Sequence, residues 1–391
     1  MFEKNKVFKE MYGEKPKVFK GLWCSDQHTL HPNTHTKHIL ENLSKFYYKD
    51  TNLDEIKLVL WGGDFFHDLA QANDPNMILV QRWVKKFLAI CHEKKIHVRI
   101  LEGTSSHDWG QPEILDILKP KGSEYIKYVK ELSIEFIPEL NINMMYVPDN
   151  FGKISTEIIY DRAIDLLANN NLTQVDFIAL HGGFKFQLPP IADKHGTLYD
   201  EHKWSKLAKH AIFSGHIHKP AQRLNIYCSG SFDRIAFGEM HPKGAYRFEF
   251  SDDYFNAEFY ENTNAQVYDK LEVTPDIDTK GLVKRIESYL AKGPKPRTHI
   301  RIVGGKGAVV IPVVTEIREA YPQYIFDYEN EKEDNIEIDE TLYTPEAYNA
   351  ININKDNLED NLFRFMDIEN STHDWVDQDL LKELLAEAMN E

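Results

Sequence analysis

The amino-acid sequence predicts an α/β fold over roughly the first 250 residues. Short, continuously apolar runs alternate there with longer amphipathic stretches, and polar or ionisable residues gather where the apolar runs end. Continuous apolar strands separated by helices indicate sheets that are buried on both faces. Functional sites in such folds lie at the carboxyl ends of strands, so the pattern also indicates where a site is expected.

The candidate strands are apolar runs that end in polar or glycine residues. They are "KVFKGLWCS", "IKLVLWGG", "IHVRILEG", "NINMMYVP", "VDFIALHG", "HAIFSGH" and "LNIYCSG". Between several of them, apolar residues recur with helical spacing at 75–95 and 154–170. The chain has 391 residues, of which 42% are hydrophobic, so it can form one large domain with smaller additions.

The chain is predicted to contain three regions. Residues 1–250 form the main domain, and the pattern becomes polar at 251–265. Residues 266–328 have the pattern of strand, helix, strand, helix and strand, which predicts a compact α+β accessory domain. Residues 329–391 begin as an acidic linker and end in an apolar helical stripe, which predicts a C-terminal helical segment.

The net charge of −16 is concentrated in the last sixth of the chain. From Asp327 to Glu391 there are 20 acidic and 4 basic residues, so the preceding residues are neutral overall. Solvent ions screen an exposed tail within about 8 Å, so its acidity would hardly affect a groove on the main domain. The composition therefore leaves DNA binding open without favouring it.

The cysteines and the hydropathy pattern indicate the compartment. Cys24, Cys91 and Cys228 are far apart and form no metal-type pair, which suggests a reducing environment. The N-terminus is charged and lacks the apolar segment of a secretion signal, and no apolar run reaches membrane-spanning length. We therefore expect a cytoplasmic protein that does not associate with membranes.

Five short patches each end an apolar strand in a residue that can bind a metal. They are "WCSDQH" (Asp26, His28), "LWGGDFFH" (Asp64, His67), "EGTSSHD" (His107, Asp108), "IALHGG" (His181) and "FSGHIHKP" (His216, His218). Each patch alone is weak evidence, but together they offer the carboxylate and imidazole donors that suit Mn²⁺, Fe²⁺ or Zn²⁺. No cysteine belongs to the set, which argues against a structural zinc site.

The order of these motifs resembles that of the calcineurin-like metallophosphoesterases, over roughly residues 17–250. The resemblance implies a β-sandwich flanked by helices and two divalent metal ions, with Mn²⁺ favoured. It implies that one metal takes Asp26, His28, Asp64 and His218, and that the other takes Asp64, His181, His216 and the residue matching the family's asparagine. It also implies that His107 protonates the leaving oxygen, with Asp108 orienting its imidazole.

The third motif, "LEGTSSHDW", departs from the "GNHD" of that family. It has two additional residues between Gly103 and His107, and it lacks the asparagine. Ser106 falls in the asparagine position when the motif is aligned on the histidine. We therefore expect Ser106 to be a short, weak neutral ligand of a looser second metal site.

Two further features are similar to the SbcD-type DNA double-strand-break repair nucleases. "GGDFFH" resembles their "GDLFH", so that His67 matches a histidine that handles the DNA phosphate. The segment "YCSGSFDRIAFGEMHPKGAYRFEF" resembles the segment that follows their last metal motif. Within it, Arg234 and Lys243 could contact phosphate, but we interpret them as solvated surface charges and the other matching residues as structural.

This second resemblance implies partners as well as a substrate. DNA would be cleaved by exonuclease or endonuclease action, the accessory domain would cap the site, and the C-terminal helix would bind an SMC-like, SbcC-type ATPase subunit. A homodimer is expected, with 111–118 and 75–95 as candidate interface helices. The member would be bacterial or phage-encoded, and in the latter case it would act in the host cytoplasm.

Two other functions remain open at this point. A metal-dependent phosphatase or small-substrate phosphodiesterase would keep the fold, but would seldom need the accessory domain and tail. A catalytically inactive binding scaffold is favoured only by the altered third motif, since a scaffold has no need to keep the other site residues.

Overall fold

The structure is a computed structural model that describes residues 17–70, 74–149, 154–188 and 198–329. Its strands, in chain order, are β1 (Phe19–Cys24), β2 (Ile56–Trp61), β3 (His97–Leu101), β4 (Ile126–Val129), β5 (Ser133–Ile137), β6 (Ile142–Val147), β7 (Val175–His181), β8 (Ala208–Gly215), β9 (Ala221–Arg223), β10 (Ile226–Cys228), β11 (Gly244–Ser251), β12 (Tyr254–Glu261), β13 (Tyr268–Glu272), β14 (His299–Val303) and β15 (Ile325–Glu329). Its α-helices are α1 (Thr36–Ser44), α2 (Pro75–Glu93), α3 (Glu113–Ile117), α4 (Thr156–Asn169), α5 (Glu201–Trp204), α6 (Thr279–Leu290) and α7 (Gly307–Ala320).

Twelve of these strands form two six-stranded sheets. The first has the order β12-β11-β1-β2-β3-β4, and the second has the order β5-β6-β7-β8-β10-β9. Strands β1 to β4 are parallel, as are β6, β7, β8 and β10, while the remaining strands pair antiparallel at the sheet edges. The predicted α/β fold class is confirmed.

The two sheets face each other across a shared apolar core. Trp23 of the first sheet stacks on Phe213 of the second with ring centroids 5.5 Å apart, and Phe177 packs against Phe248. On the outer face of the first sheet lie α1 and α2, and on that of the second lies α4. The central strands are therefore apolar on both faces, which explains their continuous apolar sequences.

Helix α2 shows how the sequence sets these layers. The Asp74 side chain accepts a hydrogen bond from the Asn76 amide at 2.7 Å, and Pro75 occupies the first turn, so the helix has a defined start. Its buried residues include Val80, Val84 and others that recur every three to four positions. The apolar stripe holds the helix on the sheet.

Strand β12 was not predicted, because residues 251–265 read as a polar connection. The structure pairs β12 with β11 along its whole length, which extends the first sheet to Glu261. Its side chains alternate, with Phe255, Ala257 and Phe259 packing toward the core between the sheets and Glu258 exposed. An edge strand with one solvated face has a half-polar sequence, which explains why β12 was not recognised.

Residues 266–328 contain the five elements expected there, in the expected order. Strands β13, β14 and β15 form a separate parallel sheet, and helices α6 and α7 cover it around a core of their own. The predicted C-terminal segment at 329–391 lies, apart from its first residue, outside the described residues.

Within the described part of the chain, no helix combines the length and apolar character that crossing a bilayer requires.

Candidate metal centre

The motif residues meet at one edge of the two sheets. Parallel strands β1, β2 and β3 end there, as do β7 and β8 of the second sheet, and the site residues directly follow or end these strands. The backbone is left-handed at Asp26 (φ 51°), His28 (φ 46°), Asp64 (φ 49°) and His216 (φ 87°). Backbone strain of this kind is held in place by surrounding structure and is concentrated at functional sites.

One group of possible metal ligands consists of Asp26, His28 and His218. One donor atom from each lies within 4.8 Å of the others. The Nε2 atoms of His28 and His218 are 2.9 Å apart, and Nε2 of His218 is 3.8 Å from Oδ1 of Asp26. Asp26 is fully buried and accepts the His216 amide at 2.9 Å, so the carboxylate is fixed.

A second group consists of Asp64, His181 and His216, whose donor atoms also lie within 4.8 Å of one another. Nε2 of His181 is 3.3 Å from Oδ1 of Asp64, while Nδ1 donates to the Gly62 carbonyl at 2.6 Å. The hydrogen bond to the carbonyl fixes the ring orientation and leaves Nε2 as the atom that faces the carboxylate.

The structure does not bring Ser106 into either group, because its side chain is exposed. Thr104 lies at the second group instead. Its hydroxyl is 3.3 Å from Oδ2 of Asp64, 3.3 Å from Nε2 of His181 and 3.2 Å from Nδ1 of His216. Ser105 and Ser106 are both exposed, whereas Thr104 is partly buried, so in this structure Thr104 occupies the place at the second group that was expected for Ser106. Aligning the motif on Gly103 rather than on the histidine would have found Thr104.

His107 and His67 lie beside the first group. The His107 ring centroid is 4.9 Å from that of His28 and 5.1 Å from that of His67, and the three residues form a further cluster of possible ligands. Nδ1 of His107 donates to the His67 carbonyl at 2.6 Å, which leaves Nε2 as the free ring nitrogen. His31 packs edge-on against His67 at 4.2 Å, a contact that the sequence did not indicate.

Asp108 does not orient the His107 imidazole as expected. Its carboxylate is fully buried and accepts three backbone amides, from Asp64 at 3.0 Å, Phe66 at 3.0 Å and Gly103 at 2.8 Å. Asp108 therefore ties the turn after β2 to the turn after β3. The expectation fails because the Asp108 side chain is buried beneath the site, where it contacts backbone amides and not the His107 ring.

Glu239 and Lys243 support His218, a role that sequence reasoning missed. Oε1 of Glu239 is 3.2 Å from Nδ1 of His218, an arrangement that orients histidine ligands in metal sites. Lys243 was interpreted as a solvated charge, but it is 1% exposed and donates to the His218 carbonyl at 2.9 Å and to Ser231 at 2.8 Å. Arg234 likewise donates to backbone carbonyls, including that of Glu239 at 2.8 Å.

Burial and neighbouring charges set the protonation of the rings. Burial lowers the pKa of His28, and burial with the nearby His181 lowers the pKa of His216 to about 4. Both rings are thus neutral at pH 7, with lone pairs available to a metal. Burial opposes protonation of His181 too, but the Asp64 carboxylate outweighs it and raises the pKa of His181 to about 10. A cation at its Nε2 must therefore displace a proton.

Both groups offer carboxylate oxygens and imidazole nitrogens without thiolates. This donor set fits borderline divalent ions such as Mn²⁺, Fe²⁺ or Zn²⁺.

Comparisons with known proteins add little to this geometry. No protein-family model and no curated protein matches the chain. About 70 solved chains resemble it, and one of them has 10% sequence identity and a TM-score of 0.39, covering 63% of this chain and 100% of its own length. A likeness at this level carries no argument about function.

Proposed function

We propose that the chain is a two-metal-dependent DNA nuclease, the phosphodiesterase subunit of an SbcCD-like repair or recombination complex, with Mn²⁺ as its cation. The observation that carries the proposal is the convergence of two carboxylate–imidazole groups at one sheet edge, with His107 beside the first. The arrangement of two facing sheets between helices supports a metallophosphoesterase β-sandwich as the architecture.

Two bound cations would supply a water of lowered pKa and charge stabilisation for a phosphodiester. The residues of this chain would bind the two cations and supply the acid. Asp26 and Asp64 provide carboxylate oxygens, and the neutral His28 and His216 rings provide lone pairs. Nδ1 of His107 donates to the His67 carbonyl, so Nε2 is the ring nitrogen that would serve as the acid: it gives a proton to a leaving oxygen only from the doubly protonated ring.

DNA is preferred to a small phosphoester because the site is accompanied by the 266–328 unit. This unit is hydrogen-bonded to the main one near the site, where the Tyr268 hydroxyl lies 2.6 Å from that of Thr34. His67, the residue expected to handle the DNA phosphate, is half-buried beside His107. A second unit joined to the domain that carries a phosphodiester site suits a polymeric substrate.

The partners belong to the same proposal. An SMC-like ATPase subunit would bind the C-terminal segment, and a second copy of the chain would pack on α2 and α3. Exposed apolar side chains on these helices support the dimer: Ile78 and Leu79 are 44% and 38% exposed, and Ile117 is 76% exposed. The cytoplasmic compartment is proposed from the cysteine pattern.

The test is Mn²⁺-dependent digestion of linear double-stranded DNA by the full chain, in parallel with a chromogenic phosphodiester. The His107→Ser variant should lose turnover but keep its bound Mn²⁺, whereas His202→Ala, in a residue whose side chain is 63% exposed, should retain both. Activity on the small substrate alone, even with an ATPase partner added, would favour the phosphatase alternative. Metal binding without activity on either substrate would favour the scaffold.

A further inference from the structure

We infer that the hydroxyl of Thr104 is a direct ligand of the cation at the second group, in the position where the resemblance implies an amide oxygen. The inference rests on the proposed function in one respect, that this group holds a divalent ion. It assigns to this chain a second site made of one carboxylate, two imidazoles and one hydroxyl, namely Asp64, His181, His216 and Thr104.

The distances among these donor atoms match a shared central ion. Bonds of about 2.1 Å to a divalent cation place neighbouring ligand atoms about 3.0 Å apart in an octahedron and about 3.4 Å apart in a tetrahedron. Oγ1 of Thr104 is 3.3, 3.3 and 3.2 Å from the donor atoms of Asp64, His181 and His216. All three separations fall between the two ideal values.

The Thr104 hydroxyl can satisfy only part of these contacts as a hydrogen-bond donor. A threonine hydroxyl has one proton, so it donates to only one of its three polar neighbours. Nδ1 of His181 donates to the Gly62 carbonyl, so Nε2 is the ring nitrogen that faces the hydroxyl and, once a cation displaces its proton, the one that binds that cation. Asp64 adds a second electron-rich atom. A cation between these atoms would satisfy all of them, including the hydroxyl oxygen.

The main chain, and not the hydroxyl, fixes where the Thr104 side chain points. The Thr104 amide donates to Oδ1 of Asp64 at 2.6 Å, and the preceding Gly103 amide donates to Asp108 at 2.8 Å. Both bonds persist whatever the side chain at 104. Thr104→Val, which keeps the branched shape and removes the oxygen, is therefore a specific probe of ligation.

The experiment is a Mn²⁺ titration of the metal-stripped full chain, followed by calorimetry and by the electron paramagnetic resonance of free Mn²⁺. Wild type, Thr104→Ser and the control Ser105→Ala are expected to bind two Mn²⁺ ions. Thr104→Val should keep one tight ion and lose at least about tenfold in affinity for the other, as removal of a metal-supporting group commonly does. Ser106→Ala tests the ligand that the sequence favoured and should bind as wild type does.

Equal affinity of Thr104→Val and wild type for both ions would overturn the inference, as would loss of the second ion in Ser106→Ala. If Thr104→Val does not fold, as judged by circular dichroism, Thr104→Ala against Thr104→Ser carries the same comparison. Wild-type chain that binds a single Mn²⁺ also overturns it. Two-ion binding that depends on Thr104, without DNA cleavage by wild type, would support the ligand and reject the nuclease.

Discussion

Replacing Gly103 by alanine is expected to abolish Mn²⁺ binding at the second group while leaving the chain folded. A Cβ atom at this position would lie 2.1 Å from the Asp64 amide nitrogen, 2.3 Å from its Oδ1 atom and 2.8 Å from Oδ2 of Asp108. Ordinary contact begins at 3.4 Å, so the Asp64 backbone and carboxylate must both move by about 1 Å. Disturbing the groups that orient metal ligands commonly costs about 10–100-fold in metal affinity, so displacing the ligand Asp64 itself should cost at least that much.

Gly110 offers a matched control in the same loop. It has φ +73° and no heavy atom within 4 Å of an added Cβ, so Gly110→Ala costs about 1–2 kcal/mol in backbone strain without touching the site. Overpacking at Gly103 costs about 1–3 kcal/mol, so the two variants should unfold at similar temperatures. Calorimetric Mn²⁺ titration should then separate them. Wild-type Mn²⁺ affinity in Gly103→Ala would refute the reasoning, as would loss of binding in Gly110→Ala.

Three further outcomes are expected. Asp108→Asn should lower the free energy of unfolding, measured by urea denaturation, by about 1–3 kcal/mol, because the amide NH₂ of asparagine would face backbone N–H donors. A variant that kept full stability and lost only turnover would instead support a role of Asp108 in orienting His107. Glu239→Gln should weaken Mn²⁺ binding by about 10–100-fold because Glu239 fixes His218, and unchanged affinity would contradict this. Because Asp64 raises the pKa of His181 to about 10, Mn²⁺ binding should release a proton between pH 7 and 9, and the affinity should rise with pH. Calorimetry in buffers of different ionisation enthalpy measures that proton, and a heat independent of buffer would count against it.

The parts of the site that follow strand ends could be predicted from the sequence. Asp26, Asp64, His181 and His216 each come directly after, or end, an apolar run, and parallel strands bring such positions to one edge. The sheet order and the facing of the two sheets did not follow from the runs alone, since they depend on pairings distant in sequence. The accessory unit was predictable because its periodicities are local.

The roles of the remaining site residues depend on how deeply each side chain is buried and on the course of the loops, and neither can be derived from a single sequence. Lys243 is a charged residue next to a turn, and only its contacts with the His218 carbonyl and Ser231 show that it is buried. Thr104 and Ser106 are both hydroxyl residues in one short loop, and the course of the backbone decides between them. Aligning the motif on His107 selects Ser106 as the residue at the second group, whereas aligning it on Gly103 selects Thr104.

The left-handed backbone at the site lowers the stability of the fold. The residues concerned are Asp26, His28, Asp64 and His216. Each such residue in a folded chain holds about 1 kcal/mol or more that glycine would release. Selection for thermostability in the absence of metal should therefore favour loss of these side chains, and selection for activity should retain them. The centre is thus a part of the molecule in which an evolving chain could gain stability by losing function.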